Sequence, residues 1–263
     1  MRSRTPQCGQ ATIEYIYVLP ILLLLLLASL QFIFIYEAKQ TLNYATFVAT
    51  RAGALNNGSM ASIKDGLAAG LAPLFAHKIG AATDMDALKL GRRTARAELA
   101  NPKLALIEII NPTSGALGGF GGEIPNDNLM YRDPLVVKGG MNVQDANLLK
   151  VRVTYCVRLV VPIVKNMIFG FAVAPPATPA RIDSTYSGGT IAAPEMLKSA
   201  PPGTASQLER GLCYDAAAET PPATADHPPD FYPNRYFYRI PVTAEAVVRM
   251  QTPFKDPGSW IAP

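Results

Sequence analysis

Few residues in this chain combine the types and spacings that chemistry requires. His77 and His227 lie 150 residues apart, and neither stands in a cluster with metal-ligand spacing. Asp84 and Asp86 are too few for a calcium loop. Ser199 and Ser206 have no evident partner base. The loop from Thr113 to Gly122 holds five glycines but lacks the Lys-Ser/Thr pair of a phosphate loop. No Gly-x-Ser-x-Gly elbow or His-Glu-x-x-His helix occurs. These features argue against an enzyme and imply no cofactor and no metal. What remains is a pair of cysteines, Cys156 and Cys213, and one carboxylate, Glu14, at the head of an apolar run. The 57-residue spacing of the cysteines fits no tight metal motif, which leaves a disulfide or two separate buried thiols.

The stretch that organises the chain, with Glu14 near its head, runs from Gly9 to Tyr36. From Tyr15 to Tyr36 only Gln31 is strongly polar and no charge interrupts. About 20 apolar residues in helical rise cross the roughly 30 Å of a bilayer core. Tyr15, Tyr17 and Tyr36 lie near the two ends, where amphipathic rings favour the headgroup level. This predicts a membrane helix over residues 10–36. A secretory signal would have a shorter apolar core and a small-residue cleavage site after it, and the far end, QFIFIYEAKQ, has none. Cys8 precedes the run, whereas a lipid-attachment cysteine follows its hydrophobic segment.

A glycine, Gly9, precedes the run, and Glu14 stands five residues after it. That arrangement resembles the processing site of type IV pilin-like proteins. The pair Glu14-Tyr15 and the continuation EAKQTLNYATFVATRAGALNNG resemble the TadE-like family, over about residues 4–58. Such proteins are minor pilins or pseudopilins of tight-adherence, Flp-type pilus systems. The resemblance implies a leader of residues 1–9, cut after Gly9 by a prepilin peptidase to leave Gln10 first. It also implies that Glu14 meets the new amine of Gln10 during assembly. An interfacial glutamate facing lipid headgroups is the alternative that residue type alone supports.

Orientation by charge is nearly a tie, with Arg2 and Arg4 before the helix and Lys39 and Arg51 after it. A long following domain translocates largely regardless of such charges. With the pilin-like leader, this places the N-terminus in the cytoplasm and the bulk in the periplasm, anchored in inner-membrane lipid. Oxidising conditions there favour a Cys156–Cys213 disulfide. The net charge of +4 is spread over 24 basic residues with no concentrated face, which argues against nucleic-acid binding.

Beyond Tyr36 the small and apolar residues Ala38, Leu42, Ala45, Ala49 and Ala52 continue at helical spacing, and Asn56-Asn57-Gly58 is a stop. One helix from about Ile13 to Ala54 is therefore expected, roughly 60 Å long at 1.5 Å per residue. Pro20 is a candidate kink. The alanine stripe suits close approach, to the protein's own domain or to a partner helix. Ser62 and Asp65 resemble a capping box, followed by Ile63, Leu67, Leu71, Leu74 and Phe75 on one face, with Gly66 and Gly70 weakening that helix. A further helix is expected over 84–100, capped by Thr83, with Met85, Leu88, Ala95 and Leu99 inward. Its other face would present Arg92, Arg93, Arg96 and Glu98 to solvent.

The period then changes. Leu104 to Ile110 reads as a buried strand, and Leu149 to Val161 alternates, with Val151, Val153, Tyr155, Val157 and Leu159 on one face. Arg152, Thr154, Cys156 and Arg158 share the other. Pro162 to Val173 is apolar but half the length of a span, so it rests on the membrane or caps the core. Residues 174–230 are Pro-rich and expected to be irregular. Phe231, Tyr232, Tyr236, Phe237 and Tyr238 lead into a closing strand, Arg239 to Met250, within a last segment of 231–263. Helices first and an antiparallel sheet after define an α+β fold, its first extracytoplasmic part at 37–173. The resemblance implies a membrane-anchored minor pilin or pseudopilin that associates with other pilin or pilus-assembly subunits through its N-terminal helix. The rival is a membrane-anchored periplasmic enzyme or sensor unrelated to pili.

Overall fold

The computed structural model describes residues 10–76, 83–101, 104–172, 213 and 238–262. Its frame is one uninterrupted helix, α1 (Gln10–Leu55), which runs through Pro20 without a break. From Tyr15 to Tyr36 nearly all its large side chains are exposed. Above them Ala38, Leu42, Ala45 and Ala49 are buried. The alanine stripe therefore docks on the protein's own domain. Thr46 and Thr50 are buried on the same length of helix, and each hydroxyl donates to the carbonyl four residues back at 2.7 Å, which satisfies it.

A tight turn returns the chain along α1. Asn57 and Gly58 both take left-handed φ, 56° and 78°, the conformation that asparagine and glycine tolerate best. Helix α2 (Met60–Phe75) begins directly after, with its first amide donating to the Pro257 carbonyl at 3.3 Å. The expected capping box at Ser62 does not form. Ser59 is the N-cap, without a side-chain bond, and Asp65 instead pairs with Arg96 at 2.8 Å. Ile63, Leu67 and Leu71 are buried as expected. Gly66 and Gly70 do not simply weaken α2. A Cβ at Gly70 would lie 2.5 Å from Ala45 Cα, and one at Gly66 would lie 2.9 Å from Ala49 Cα, so the two backbones meet there.

Helix α3 (Asp84–Leu99) is capped by Thr83, whose Oγ1 accepts from the Asp86 amide. Its buried seam is Ala87, Gly91, Ala95 and Leu99, whereas Met85 is 65% exposed and Leu88 is also exposed. The inward face is thus rotated from the one expected. Small residues, not large ones, face α2, because a Cβ at Gly91 would come within 2.6 Å of the Ala72 carbonyl.

The second layer is a four-stranded antiparallel sheet built from β1 (Ala105–Asn111), β4 (Leu148–Arg158), β5 (Arg239–Arg249) and the short β6 (Ile261–Ala262), in the order β5-β4-β1-β6. Register pairs Ile107 with Val153 and Val153 with Ala244, so apolar rows align on the face that meets the helices. Ala105, Ile107, Val151, Val153, Tyr155 and Val157 are buried. The opposite face carries a charged ladder: Arg152 Nε donates to Glu245 at 2.6 Å and Lys150 lies 2.8 Å from the same carboxylate.

The connection from β1 to β4 holds α4 (Ser114–Gly119), a 3-10 turn (Leu129–Tyr131), the hairpin of β2 (Val137–Lys138) and β3 (Met141–Asn142), and α5 (Val143–Ala146). The glycine-rich loop is not a plain flexible connection. Thr113 caps α4 by accepting from the Ala116 amide at 3.2 Å. After β4, α6 (Val164–Ala172) leads to the Pro-rich segment 174–230, which lies outside the described residues apart from Cys213, as do Phe231, Tyr232, Tyr236 and Phe237.

The α1–α2 seam generates a direct prediction. Gly70→Val pushes a branched side chain into the Ala45 backbone and should destabilise the protein by about 1–3 kcal/mol. Gly118 has nothing within 4 Å of its Cβ position, so Gly118→Ala serves as the neutral control. Thermal unfolding of the detergent-solubilised chain reads the difference.

Candidate functional site

The candidate site is the lower half of α1 together with the contacts that fix it to the domain. Glu14 is exposed near the start of the helix, and Tyr15 beside it is 64% exposed. Gly9 and the rest of the expected leader, residues 1–9, lie outside the described residues. Gln10 opens α1, and positions 10 and 14 are one turn apart on one helix face. From Glu14 onward the helix is long and apolar enough to cross a membrane, and almost none of its most apolar stretch is buried in the protein. A row at Leu24, Leu27, Ala28 and Ile35 is only half-buried. The exposed faces around it, among them Leu22, Leu26, Phe32 and Ile33, are free for lipid or for other helices.

Gln31 fixes the lower limit of the folded domain. It is fully buried, and its Oε1 accepts from the Val160 amide at 3.1 Å and the Val161 amide at 2.8 Å. The one strongly polar residue of the apolar run was visible in the sequence, but nothing there linked it to a segment 130 residues later. Higher up, the Lys39 ammonium donates to the Thr243 carbonyl of β5. The Ala54 carbonyl accepts from the Gln251 amide at 3.1 Å. Helix α1 is thus bonded at three heights, to β5 itself and to the segments that follow β4 and β5.

At the lower end of the sheet, Cys156 and Cys213 form a disulfide with Cα atoms 5.5 Å apart. Both are fully buried, packed with Leu104, Leu106, Phe169 and Ile240. Phe169 of α6 meets Tyr238 edge-on at 4.9 Å, so α6 caps this second small core.

Glu98 is not on a solvated face. Its carboxylate receives Arg239 Nη1 at 3.2 Å and Nη2 at 3.1 Å, the Tyr155 hydroxyl donates to it, and Arg158 stands 3.8 Å away. Arg239 Nη1 also donates to the Cys156 carbonyl at 3.1 Å. Burial alone would push the Glu98 carboxyl up, but the charge and hydrogen bonds of Arg239, with Tyr155 and Arg158, hold it below the ordinary carboxylate range. Burial, and then the charge of Glu98, push the Tyr155 phenol well above its usual value. These groups are closed in by α3, β4 and β5 and pair with one another, Arg239 also with the Cys156 carbonyl. They form a structural ion cluster.

His77, His227, Ser199 and Ser206 lie outside the described residues. Among the described residues no three of His, Cys, Asp and Glu are placed to hold a metal ion. A shallow depression of about 560 Å³ lies beside Phe120, Glu123, Asp127, Arg132, Lys138 and Pro253. Asp127 and Arg132 pair across it at 3.0 Å.

Together these features define an α+β domain held on a single long apolar helix, the build of a membrane-anchored protein. Residues 9–51 match the family of TadE-like proteins, a match that covers almost the whole of α1 and points to association with the Tad pilus. No curated protein matches the chain, and no solved structure does.

The ion cluster yields the second prediction. Arg239→Met leaves the Glu98 carboxylate buried without its main partner and should cost about 3–5 kcal/mol at neutral pH. In the wild type the folded carboxyl lies below its unfolded value. Its contribution is therefore complete above about pH 4.3 and lost as pH falls through the folded value. Without Arg239, burial dominates and the folded value rises above the unfolded one. The sign then reverses, and the variant loses stability as pH rises. Denaturant midpoints at about pH 4 and about pH 7 should show the gap between the two proteins narrowing in acid.

Proposed function

We propose that this protein is a minor pilin or pseudopilin of a Tad-type pilus, anchored in the inner membrane with its N-terminus cytoplasmic and its α+β domain periplasmic. The observation that carries the reading is the division of α1. The family match falls on this helix, and below Gln31 the helix offers its apolar faces to the surroundings and not to the domain. A face of that kind suits lateral packing against the helices of other pilin or pilus-assembly subunits. The buried disulfide supports the periplasmic placement, since such bonds persist in oxidising compartments.

In this reading a prepilin peptidase cuts after Gly9. The new amine of Gln10 then stands one helical turn from Glu14, on the same face. A carboxylate near a membrane edge is costly to leave unpaired, and an amine carrying one positive charge compensates it. Glu14 serves the amine of its own chain or that of a neighbouring subunit. Tyr15, exposed beside it, sits at the level where aromatic rings favour the headgroups. The role is one of assembly, without catalysis.

The test uses Glu14→Gln, which removes the charge and keeps the size. N-terminal sequencing of the wild-type protein from membranes should begin at Gln10. The variant should reach the membrane at the wild-type level, because neutralising the carboxylate does not hinder insertion. Piliation should nevertheless fail. Normal piliation by a variant confirmed in the membrane would contradict the role of Glu14, and an uncut wild-type chain would contradict processing at Gly9.

A further inference from the structure

We infer that α6 and the turn before it are a second membrane contact, seated at the bilayer surface beside α1. The inference rests on α1 crossing the membrane. It adds that the domain does not stand clear on a stalk but sits flush on the lipid.

Height along α1 is the first observation. Gln31 lies five residues before Tyr36, and Val160 and Val161 both donate to its side chain. At 1.5 Å per residue, that contact is about 7–8 Å below the end of the apolar run. A span of about 20 residues that begins at Tyr15 ends near Phe34, so the segment entering α6 is level with the outer edge of the hydrocarbon. Leu30, Phe32 and Ile33 are exposed on α1 at that same height. The apolar surface of the helix and that of the α6 segment are therefore continuous around one level.

The second observation is what the segment exposes. Val160 and Ile163 are more than half exposed and Met167 is 44% exposed, while Val164 between them is buried toward the protein. Lys165 stands over the Tyr238 ring at 5.5 Å. A long basic side chain among apolar neighbours is suited to reach up to phosphates while its neighbours enter the acyl boundary.

Backbone conformation is the third. Ile163 adopts φ 68°, a left-handed value that is an outlier for a β-branched residue. Glycine or asparagine would occupy this turn without strain, yet an isoleucine stands here with 57% of its surface exposed. Strain of this kind persists where the side chain has a use. An apolar anchor entering lipid is such a use. The Gln31 bonds fit the same setting, because amides near hydrocarbon have little water to bind and need a protein acceptor.

The test is spin labelling of the full chain with Cys8→Ser, leaving the buried disulfide closed, in vesicles of phosphatidylethanolamine and phosphatidylglycerol. Single nitroxides are placed through Ile163→Cys, Met167→Cys, Phe32→Cys and Val247→Cys, all at exposed positions. Collision with oxygen is compared with collision with a water-soluble nickel chelate. Labels at 163 and 167 should show an oxygen-to-nickel ratio several-fold above that at 247 and close to that at 32. An aqueous ratio at 163 and 167, with a lipid ratio at 32, overturns the seat and leaves the span intact. Low collision with both reagents and an immobilised label would mean that protein covers the segment, which also overturns it. An aqueous ratio at 32 removes the membrane reading itself.

Discussion

One helix has two surroundings, and the change occurs at Gln31. Below it the side chains of α1 are apolar and mostly exposed. Above it Ala38, Leu42, Ala45 and Ala49 are buried, and Ala45 and Ala49 are small enough for α2 to press Gly70 and Gly66 against the helix backbone. The sheet then lies alongside, with Lys39 bonded to β5 and Ala54 to the segment that follows it. Because α1 is unbroken, no loop separates the domain from the apolar segment.

The lower end of the domain is also where its least tolerant interactions gather. The Glu98 cluster joins α3 to β4 and β5, and the disulfide fixes Cys213 to the back of β4. In the chain-entropy picture, closing a loop of 57 residues restricts the unfolded chain by about 4 kcal/mol. Cys213, which belongs to the long segment between β4 and β5, is thereby tied to β4. Arg239 begins β5 and bonds the Cys156 carbonyl, so ion cluster and disulfide reinforce each other at one strand position.

Periodicity made the larger elements legible. The continuous α1, the helix capped by Thr83, the alternating strand β4 and the closing strand β5 all follow from apolar spacing and turn residues. So does an α+β layout with helices before sheet. What failed was orientation within elements made of small residues. In α3, spacing favoured Met85 and Leu88 as inward, but an Ala-Gly seam allows closer backbones than large side chains would, and the helix turns accordingly. Glu98 looked solvated because its partner Arg239 comes 141 residues later, a distance that no local pattern spans. The short strands β2, β3 and β6 pair over two residues each, too little for alternation to register. At the candidate site, Glu14 and the two cysteines were visible as residue types. Gln31 was visible only as an exception in an apolar run.

The proposed pilin role requires the exposed face of lower α1 to meet other helices while its upper face is occupied by the domain. Site-specific photo-crosslinking in piliated cells addresses this directly. A photoreactive residue at Leu22 or Leu26, both exposed, should give adducts with other pilus subunits, while one at exposed Val247 on the far side of the sheet should give none. Adducts confined to lipid at positions 22 and 26, in cells that assemble pili, would contradict lateral assembly through α1.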